Sequence, residues 1–170
     1  MKRYLCSLII LVVLVSLAST VMAEESESLK KIKEFETLEV IDGELVEVSS
    51  QEVSITEQVD GVNVLSQAGK RYGKISNHKT IPIIGGNWYT VAKSTADYKQ
   101  DQITARARLY NKNGKLWASD YQSLKNSKNI SATANSKNNQ INFNGAYSIG
   151  NHTFNRGGYK DTSLETKKNW

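Results

Sequence analysis

The stretch that decides the fold runs from Gly85 to Leu124 and reads GGNWYTVAKSTADYKQDQITARARLYNKNGKLWASDYQSL. Its centre alternates between two faces: Ile103, Ala105, Ala107 and Leu109 take one face, and Thr104, Arg106, Arg108 and Tyr110 take the other. An alternation of period two is typical of a half-buried strand. Asn113-Gly114 is a strong turn signal, after which Lys115–Tyr121 returns. We therefore predict a β-hairpin, and its small inward side chains favour a closely opposed second layer.

Further short strands are predicted around this hairpin. Pro82 in the apolar run Thr80–Ile84 favours an edge strand, and Gly85-Gly86 favours a turn into Trp88. The later candidates are Ile130–Ala134, Ile141–Ile149 with a bulge at Gly145, and Thr162–Trp170. Six or seven short strands at this spacing predict a small antiparallel β-sandwich, an all-β fold.

Charge divides the chain into two regions. Residues 24–60 hold twelve acids against three lysines, a net charge of −9, whereas residues 61–170 hold seventeen bases against five acids, a net charge of +12. All three tryptophans and seven of the eight tyrosines lie after residue 61, where large side chains can build a core. We predict an acidic pro-like region at 24–73 and a basic β-sandwich domain at 74–170. The boundary at Ala68–Lys74 contains Lys70-Arg71, which is either a processing site or an ordinary solvated turn.

The acidic region carries local patterns of its own. Leu29, Ile32 and Phe35 have helical spacing, so we expect a short helix over Ser26–Glu36 with Ser26 as its cap. Thr37–Val48 alternates around Asp42-Gly43, which predicts a hairpin. A second Asp-Gly pair, Asp60-Gly61, predicts another hairpin. The high charge also allows partial disorder.

The first 23 residues have the form of a signal peptide. Lys2 and Arg3 precede an apolar run at Leu8–Leu17 that is short for a membrane span, and a small-residue cleavage site ends at Ala23. We expect cleavage before Glu24 and no stable membrane span afterwards; a retained anchor is the alternative. Cleavage would remove Cys6, the single cysteine, and a secreted chain without disulfides favours a Gram-positive source.

The sequence offers few groups for catalysis. His78 and His152 are the two histidines, and we expect both at the surface. No nucleophile elbow, phosphate loop or metal-ligand spacing occurs, so we predict neither an enzyme nor a bound metal or cofactor. A small hydrolase using His152 is the residual catalytic interpretation.

The basic half also carries aromatic side chains, which together suggest a contact surface. The candidates are Trp88, Tyr89, Arg106, Arg108, Tyr110, Lys112 and Lys115. The cations would attract an anionic envelope component, either a wall polymer or a lipid-linked precursor, while Trp88, Tyr89 and Trp117 anchor the contact or fill the core. Nucleic acid is a less accessible partner for a secreted protein. The alternative is that the lysines only solvate the domain. The acidic region could cover this surface until cleavage.

Short motifs resemble the lactococcin 972 family of secreted bacteriocins. They are Gly85-Gly-Asn-Trp-Tyr89, Ser94–Tyr98, the alternation through Ala105 and Ala107, and Asn111–Gly114. The resemblance implies a signal peptide, a compact β-sandwich and interference with wall synthesis through a lipid-linked precursor. Lys99 and Gln100 stand where that family has histidines. The sequence thus predicts a secreted, non-enzymatic, bacteriocin-like antibacterial protein; the alternative is a secreted or wall-associated binding module without toxic activity.

Overall fold

The structure, a computed structural model, describes residues 30–42, 44–60, 68–80, 88–136 and 144–170. Within these ranges it has seven β-strands and no helix. They are β1 (Lys31–Ile41), β2 (Glu44–Thr56), β3 (Lys70–Thr80), β4 (Trp88–Tyr110), β5 (Leu116–Ser136), β6 (Tyr147–Asn155) and β7 (Thr162–Asn169). The all-β prediction is confirmed. None of the residues described belongs to a helix long and apolar enough to cross a membrane.

All seven strands belong to one antiparallel sheet in which β4 is shared. The order is β1-β2-β3-β4-β6-β7, and β5 pairs with β4. The first part of β4 pairs with β3 as far as Ala96, and the second part pairs with β6 from Gln102 onward. The register with β5 shifts between Thr95 and Gln100. The two facing layers are therefore two parts of one curled sheet, where the sequence had suggested a sandwich.

The core lies between these two parts. Ile103, Ala105, Ala107 and Leu109 are fully buried, as their alternation predicts. The main cluster combines small side chains, such as Ala92 and Ala132, with Val53, Ile75 and Phe154 from other strands. The two parts of the curled sheet face each other, and the small side chains between them allow the two layers to approach closely while the core stays densely packed.

The helix predicted at Ser26–Glu36 is wrong over the residues that the structure describes. Residues 31–36 belong to β1, which pairs with β2 without a break in register. Lys31 lies opposite Ser54 at one end of the pairing, and Ile41 lies opposite Glu44 at the other. Strand pairing overrides the weak helical spacing, and it places Ile32 and Phe35 on opposite faces. The hairpin around Asp42 is confirmed, and Asp42 adopts the left-handed conformation at φ 53°.

Other local predictions have mixed outcomes. The turn at Asn113-Gly114 is confirmed, with Gly114 at φ 77°. Of the predicted boundary at Ala68–Lys74, residues 70–74 lie inside β3. Gly145 lies in a turn before β6 and not in a bulge. Some predictions lie outside the described residues: 1–23 with Ala23, the second arm of the Asp60-Gly61 hairpin, 81–84 with Pro82, Gly85-Gly86, and residues 141–143 of the predicted Ile141–Ile149 strand.

Candidate functional site

The outer surface of the second sheet half collects basic and aromatic side chains in cross-strand rows. One row runs from Tyr121 through Arg106 and Asn151 to Glu165. The second row runs from Arg108 on β4 through Ile149 on β6 to Lys167 on β7. The third row places Tyr110 opposite Tyr147. We call this surface the basic face; its members are Arg106, Arg108, Tyr110, Tyr121, Tyr147 and Lys167.

Two tyrosine rings form the row of the basic face that lies nearest the β4–β5 turn. Tyr110 and Tyr147 stack with ring centroids 5.1 Å apart and planes 13° from parallel. The Arg108 guanidinium lies 5.7 Å from the Tyr110 ring, and Lys167 Nζ lies 4.6 Å from the Tyr147 ring. Cations held over aromatic rings keep their charge while their stems pack on the ring. The face thus presents a positive charge on each side of a stacked pair.

Only a small part of this positive charge is compensated. Arg108 lies 4.0 Å from Glu165, and it also donates to Asn151 Oδ1. Arg106 donates to the Ser119 hydroxyl at 3.4 Å. Within the described part of the chain, neither Arg106 nor Lys167 has a carboxylate within salt-bridge distance. The face therefore carries a net positive field.

The seven contact residues predicted from the sequence separate into three groups. Arg106, Arg108 and Tyr110 lie together on the basic face. Lys112 and Lys115 are exposed in the turn between β4 and β5. That turn borders the face, since a Cβ at Gly114 would lie 3.6 Å from Tyr147 Oη. Trp88 and Tyr89 lie elsewhere.

Trp88 lies on the inner side of β4 and closes one end of the core. It packs in a small cluster with Leu109, Ala146, Trp117 and Trp170. Its ring is 5.3 Å from that of Trp170. Of the two roles predicted for Trp88 and Trp117, filling the core therefore matches their positions better than anchoring a contact on the basic face.

Tyr89 lies on the outer side of the first sheet half. It stacks on His78 with ring centroids 4.6 Å apart and planes 8° from parallel. Burial is the main reason that the pKa of Tyr89 is raised and that the pKa of His78 is lowered. His78 is half-buried, so its predicted surface position is only partly correct.

Three members of the basic face were missed by sequence reasoning: Tyr121, Tyr147 and Lys167. Tyr147 comes from β6 and Lys167 from β7, and their rows depend on pairings between distant strands. Tyr121 stands opposite Arg106 in the β4–β5 hairpin. Counting pairs outward from the Asn113-Gly114 turn would have placed Tyr121 opposite Ala105, on the inner side, because the β4–β5 register shifts between Leu109 and Tyr110.

An open cleft of 860 Å³ lies at the end of the core closed by the tryptophans. Trp88, Trp170, Leu38 and Asn77 are among its lining residues. Its charges are compensated locally, since Lys168 contacts Glu34 at 3.3 Å and Lys79 contacts Glu47 at 3.2 Å. It is therefore a polar-aromatic cleft without the excess charge of the basic face.

His152 is fully buried, so its predicted surface position is wrong. It lies on the inner side of β6, where Gly73 and Gly150 leave room for its ring: a Cβ at Gly73 would lie 2.4 Å from His152 Cδ2. Burial lowers the pKa of His152 to about 4, so the ring is neutral near pH 7.

The hydrogen bonds of His152 define its tautomer. The Ser94 hydroxyl donates to the Thr104 carbonyl at 2.6 Å, so it accepts a hydrogen bond from the N–H at His152 Nδ1, 2.9 Å away. Nε2 then accepts from the Thr166 hydroxyl at 3.0 Å, which is nearer to this hydroxyl than its other acceptor, the Gly150 carbonyl at 3.4 Å. In this arrangement Nδ1 already carries a proton and cannot serve as a base toward Ser94, which gives the hydrolase interpretation no support.

The two residues proposed for processing also lie in the fold. Lys70 is exposed at the start of β3, and its backbone N–H donates to Asp97 Oδ2 at 2.9 Å. Arg71 is fully buried and donates through Nε to Glu57 Oε1 at 3.2 Å. A protease needs an extended, accessible segment, so cleavage here would require local opening of β3.

No three His, Cys, Asp or Glu side chains of the described ranges are placed to hold a metal ion. The comparisons with known proteins give no relative: no family model matches the chain, and neither a curated protein nor a solved structure is significantly similar to it.

Proposed function

We propose that the protein is a non-enzymatic binding protein that is secreted and contacts an anionic polymer of a bacterial envelope through its basic face. The observation that carries the proposal is the array of Arg106, Arg108 and Lys167 around the stacked Tyr110 and Tyr147. Such an array combines long-range attraction for a polyanion with rigid aromatic surfaces for its repeating units.

The shape of the face favours an extended ligand. Its side chains project from four adjacent strands, β5, β4, β6 and β7, in successive rows, and Lys112 and Lys115 continue the positive charge at one end. A polymer with regularly spaced phosphates could meet several of these cations at once. Arginine is suited to phosphate because its planar group offers paired donors.

A lipid-linked wall precursor shares this chemistry, because it combines a pyrophosphate with sugars. Phosphate contacts at Arg106 and Lys167 with sugar packing on Tyr121 would serve either ligand. The two sources differ in repeat number, so a polymer gains affinity from chain length whereas a precursor does not.

Binding to poly(glycerol phosphate), measured by calorimetry against a neutral glycan, tests the proposal. The variant Arg106→Glu/Lys167→Glu should lose at least about tenfold in affinity, because each reversal replaces an attraction with a repulsion at the contact. The matched control is Lys93→Glu/Lys99→Glu, which changes net charge equally at exposed positions in the first part of β4. Equal loss in both variants, or no binding by the native protein, would overturn it.

Secretion is part of this proposal and rests on the pattern of residues 1–23. Mass spectrometry of the protein from culture medium should give a chain beginning at Glu24. A product retained in the cell with Met1 intact would contradict export.

Antibacterial action of the bacteriocin type is the second candidate, favoured by the same basic face, which would bring the protein to the anionic surface of a target cell. Purified protein should then kill on Gram-positive lawns. Killing should disappear in Arg106→Glu/Lys167→Glu and persist in Lys93→Glu/Lys99→Glu. Binding without killing would leave the non-toxic binding module.

A further inference from the structure

Strand β1 is an open edge of the sheet, and it exposes several large apolar side chains. Among the described strands it pairs only with β2. Ile32, Phe35, Leu38 and Val40 are 58%, 45%, 63% and 73% exposed. Proteins normally shield such edges with proline, short strands, charged side chains or a cover. β1 is eleven residues long without proline, and its lysines and glutamates alternate with exposed apolar side chains.

We propose that β1 is a self-association edge: two copies of this chain join their β1 strands antiparallel around a two-fold axis at Phe35, which makes one continuous sheet. In this register Phe35 faces its own copy, Ile32 faces Leu38 of the second copy, and Lys31 faces Glu39. A two-fold interface requires a surface that is complementary to itself, and β1 meets that requirement along nine residues.

The alternation of β1 places these pairs on two faces. Lys31, Phe35 and Glu39 share one face with Lys33 and Thr37. Lys33–Thr37 pairs therefore lie next to the aromatic pair at the axis, and the opposite charges of Lys31 and Glu39 meet beyond them on both sides. Ile32 and Leu38 share the other face and would form two apolar pairs. Cross-strand pairs of these kinds are the ones that stabilise antiparallel sheets.

One like-charge contact also falls in this register, since Glu34 would face Glu36 of the second copy. One lysine partly compensates the two carboxylates in each chain: Lys168 Nζ lies 3.3 Å from Glu34 and 3.8 Å from Glu36. The lysine comes from β7, so the dimer would need the folded sheet and not an isolated β1 peptide.

Sedimentation equilibrium of the full chain over a range of concentrations measures the association. The native protein should show a monomer–dimer equilibrium. Phe35→Lys should raise the dimer dissociation constant at least tenfold, because it places two like charges at the axis. Leu45→Lys is the matched control: Leu45 is also 45% exposed, but it lies on β2, away from the open edge, and should leave dimerisation unchanged.

A charge swap tests the register. Lys31→Glu alone and Glu39→Lys alone should each weaken the dimer, and the double variant should restore it. Cysteine cross-linking in a Cys6→Ser background gives an independent readout. Phe35→Cys should form a disulfide-linked dimer, whereas Leu38→Cys should cross-link only when mixed with Ile32→Cys.

A protein that stays monomeric at every concentration would overturn the proposal. So would a dimer that Phe35→Lys leaves intact, or cross-linking that is no faster at position 35 than at position 38. None of these readouts depends on polymer binding, so they stand apart from the basic face.

Discussion

Glu57 is the residue that joins the two halves of the chain. Its side chain is fully buried and accepts hydrogen bonds from Arg71, Gln100, Arg156 and the Gly69 backbone N–H. Burial alone would raise the pKa of Glu57, but the hydrogen bonds from Gln100 and Gly69 and the charges of both arginines outweigh it, so the pKa is lowered. An acid from the acidic region thus neutralises cations of the basic region inside the core.

Glu57→Gln should therefore be strongly destabilising. It keeps the size of the side chain but leaves the buried Arg71 without a counter-charge, and the free energy of unfolding should fall by about 3–5 kcal/mol. Urea denaturation of the native protein and the variant measures this difference in the free energy of unfolding. The matched control, Glu47→Gln, breaks the exposed pair with Lys79 and should cost less than about 1 kcal/mol. Similar losses in the two variants would show that the Glu57 cluster contributes no more than a surface pair.

His152 predicts a loss of stability in mild acid. Its pKa is about 4 in the folded chain and near 6.5 when unfolded, so the unfolded state binds the proton first as the pH falls. The contribution of neutral His152 to the free energy of unfolding is fully present above pH 6.5 and is lost between pH 6.5 and 4. The total loss is about 3 kcal/mol, at about 1.4 kcal/mol per pH unit. Urea unfolding midpoints at pH 7.5, 6 and 4.5 measure this decline.

Two other groups can be separated from His152 in that experiment. The pKa of His78 is also lowered by burial, so the decline should be measured in His78→Gln as well and should largely remain. The pKa of Glu57 is lowered below 4.5, so its contribution is lost only at still lower pH. A flat profile between pH 6.5 and 4.5 in His78→Gln would contradict the buried neutral state of His152.

At the scale of elements, β2 and β3 make the acidic and basic regions one sheet. Along β2 and β3, Val46 lies opposite Thr80 at one end of the pairing and Thr56 lies opposite Lys70 at the other. Val46, Val48 and Val53 of β2 are buried. The predicted pro-like region therefore supplies core side chains as well as Glu57. Cleavage at Lys70-Arg71 stays a prediction, and its consequence for folding can be measured.

A chain that begins at Lys70 should not fold. It would lack β2 and Glu57, so β3 would become an edge and Arg71 and Arg156 would lose their counter-charge. Circular dichroism and amide NMR should show an unfolded or aggregated fragment. A chain that begins at Glu44 lacks only the exposed β1 and keeps Glu57, so it should fold. A folded, soluble fragment 70–170 would favour the separable pro-like region instead.

At the scale of the whole molecule, the basic face makes polymer binding dependent on salt. Exposed charges are screened within about 10 Å at 0.1 M salt. The affinity for poly(glycerol phosphate) should therefore fall roughly tenfold or more between 0.05 and 0.3 M sodium chloride. The salt dependence should be weaker in Arg106→Glu/Lys167→Glu, which removes two of the contacts. An affinity that salt leaves unchanged would point to the cleft at Trp88 and Trp170 as the binding site.

Local patterns gave the parts of the fold that depend on near neighbours. The alternation from Ile103 to Leu109 predicted the buried side of β4, and the Asp42 and Asn113-Gly114 turns predicted two hairpins, because Asp-Gly and Asn-Gly favour the backbone conformations of tight turns. The same alternation placed Arg106, Arg108 and Tyr110 together on the outer side. The helical spacing of Ile32 and Phe35 gave a wrong prediction of a helix, since the pairing of β1 with β2 outweighs the weak local preference for a helix.

By itself, then, the sequence determined the β class, the hairpins at Asp42 and at Asn113-Gly114, the charge division and one strand of the basic face. Only the tertiary structure decided that β4 changes partners between Ala96 and Gln102, and this curl brings β6 and β7 beside it. It also decided that Glu57 and His152 are buried and that Trp88 faces inward. These features depend on contacts between residues far apart in the chain, and period-two alternation shows that a strand has two faces but not which neighbour each face will meet.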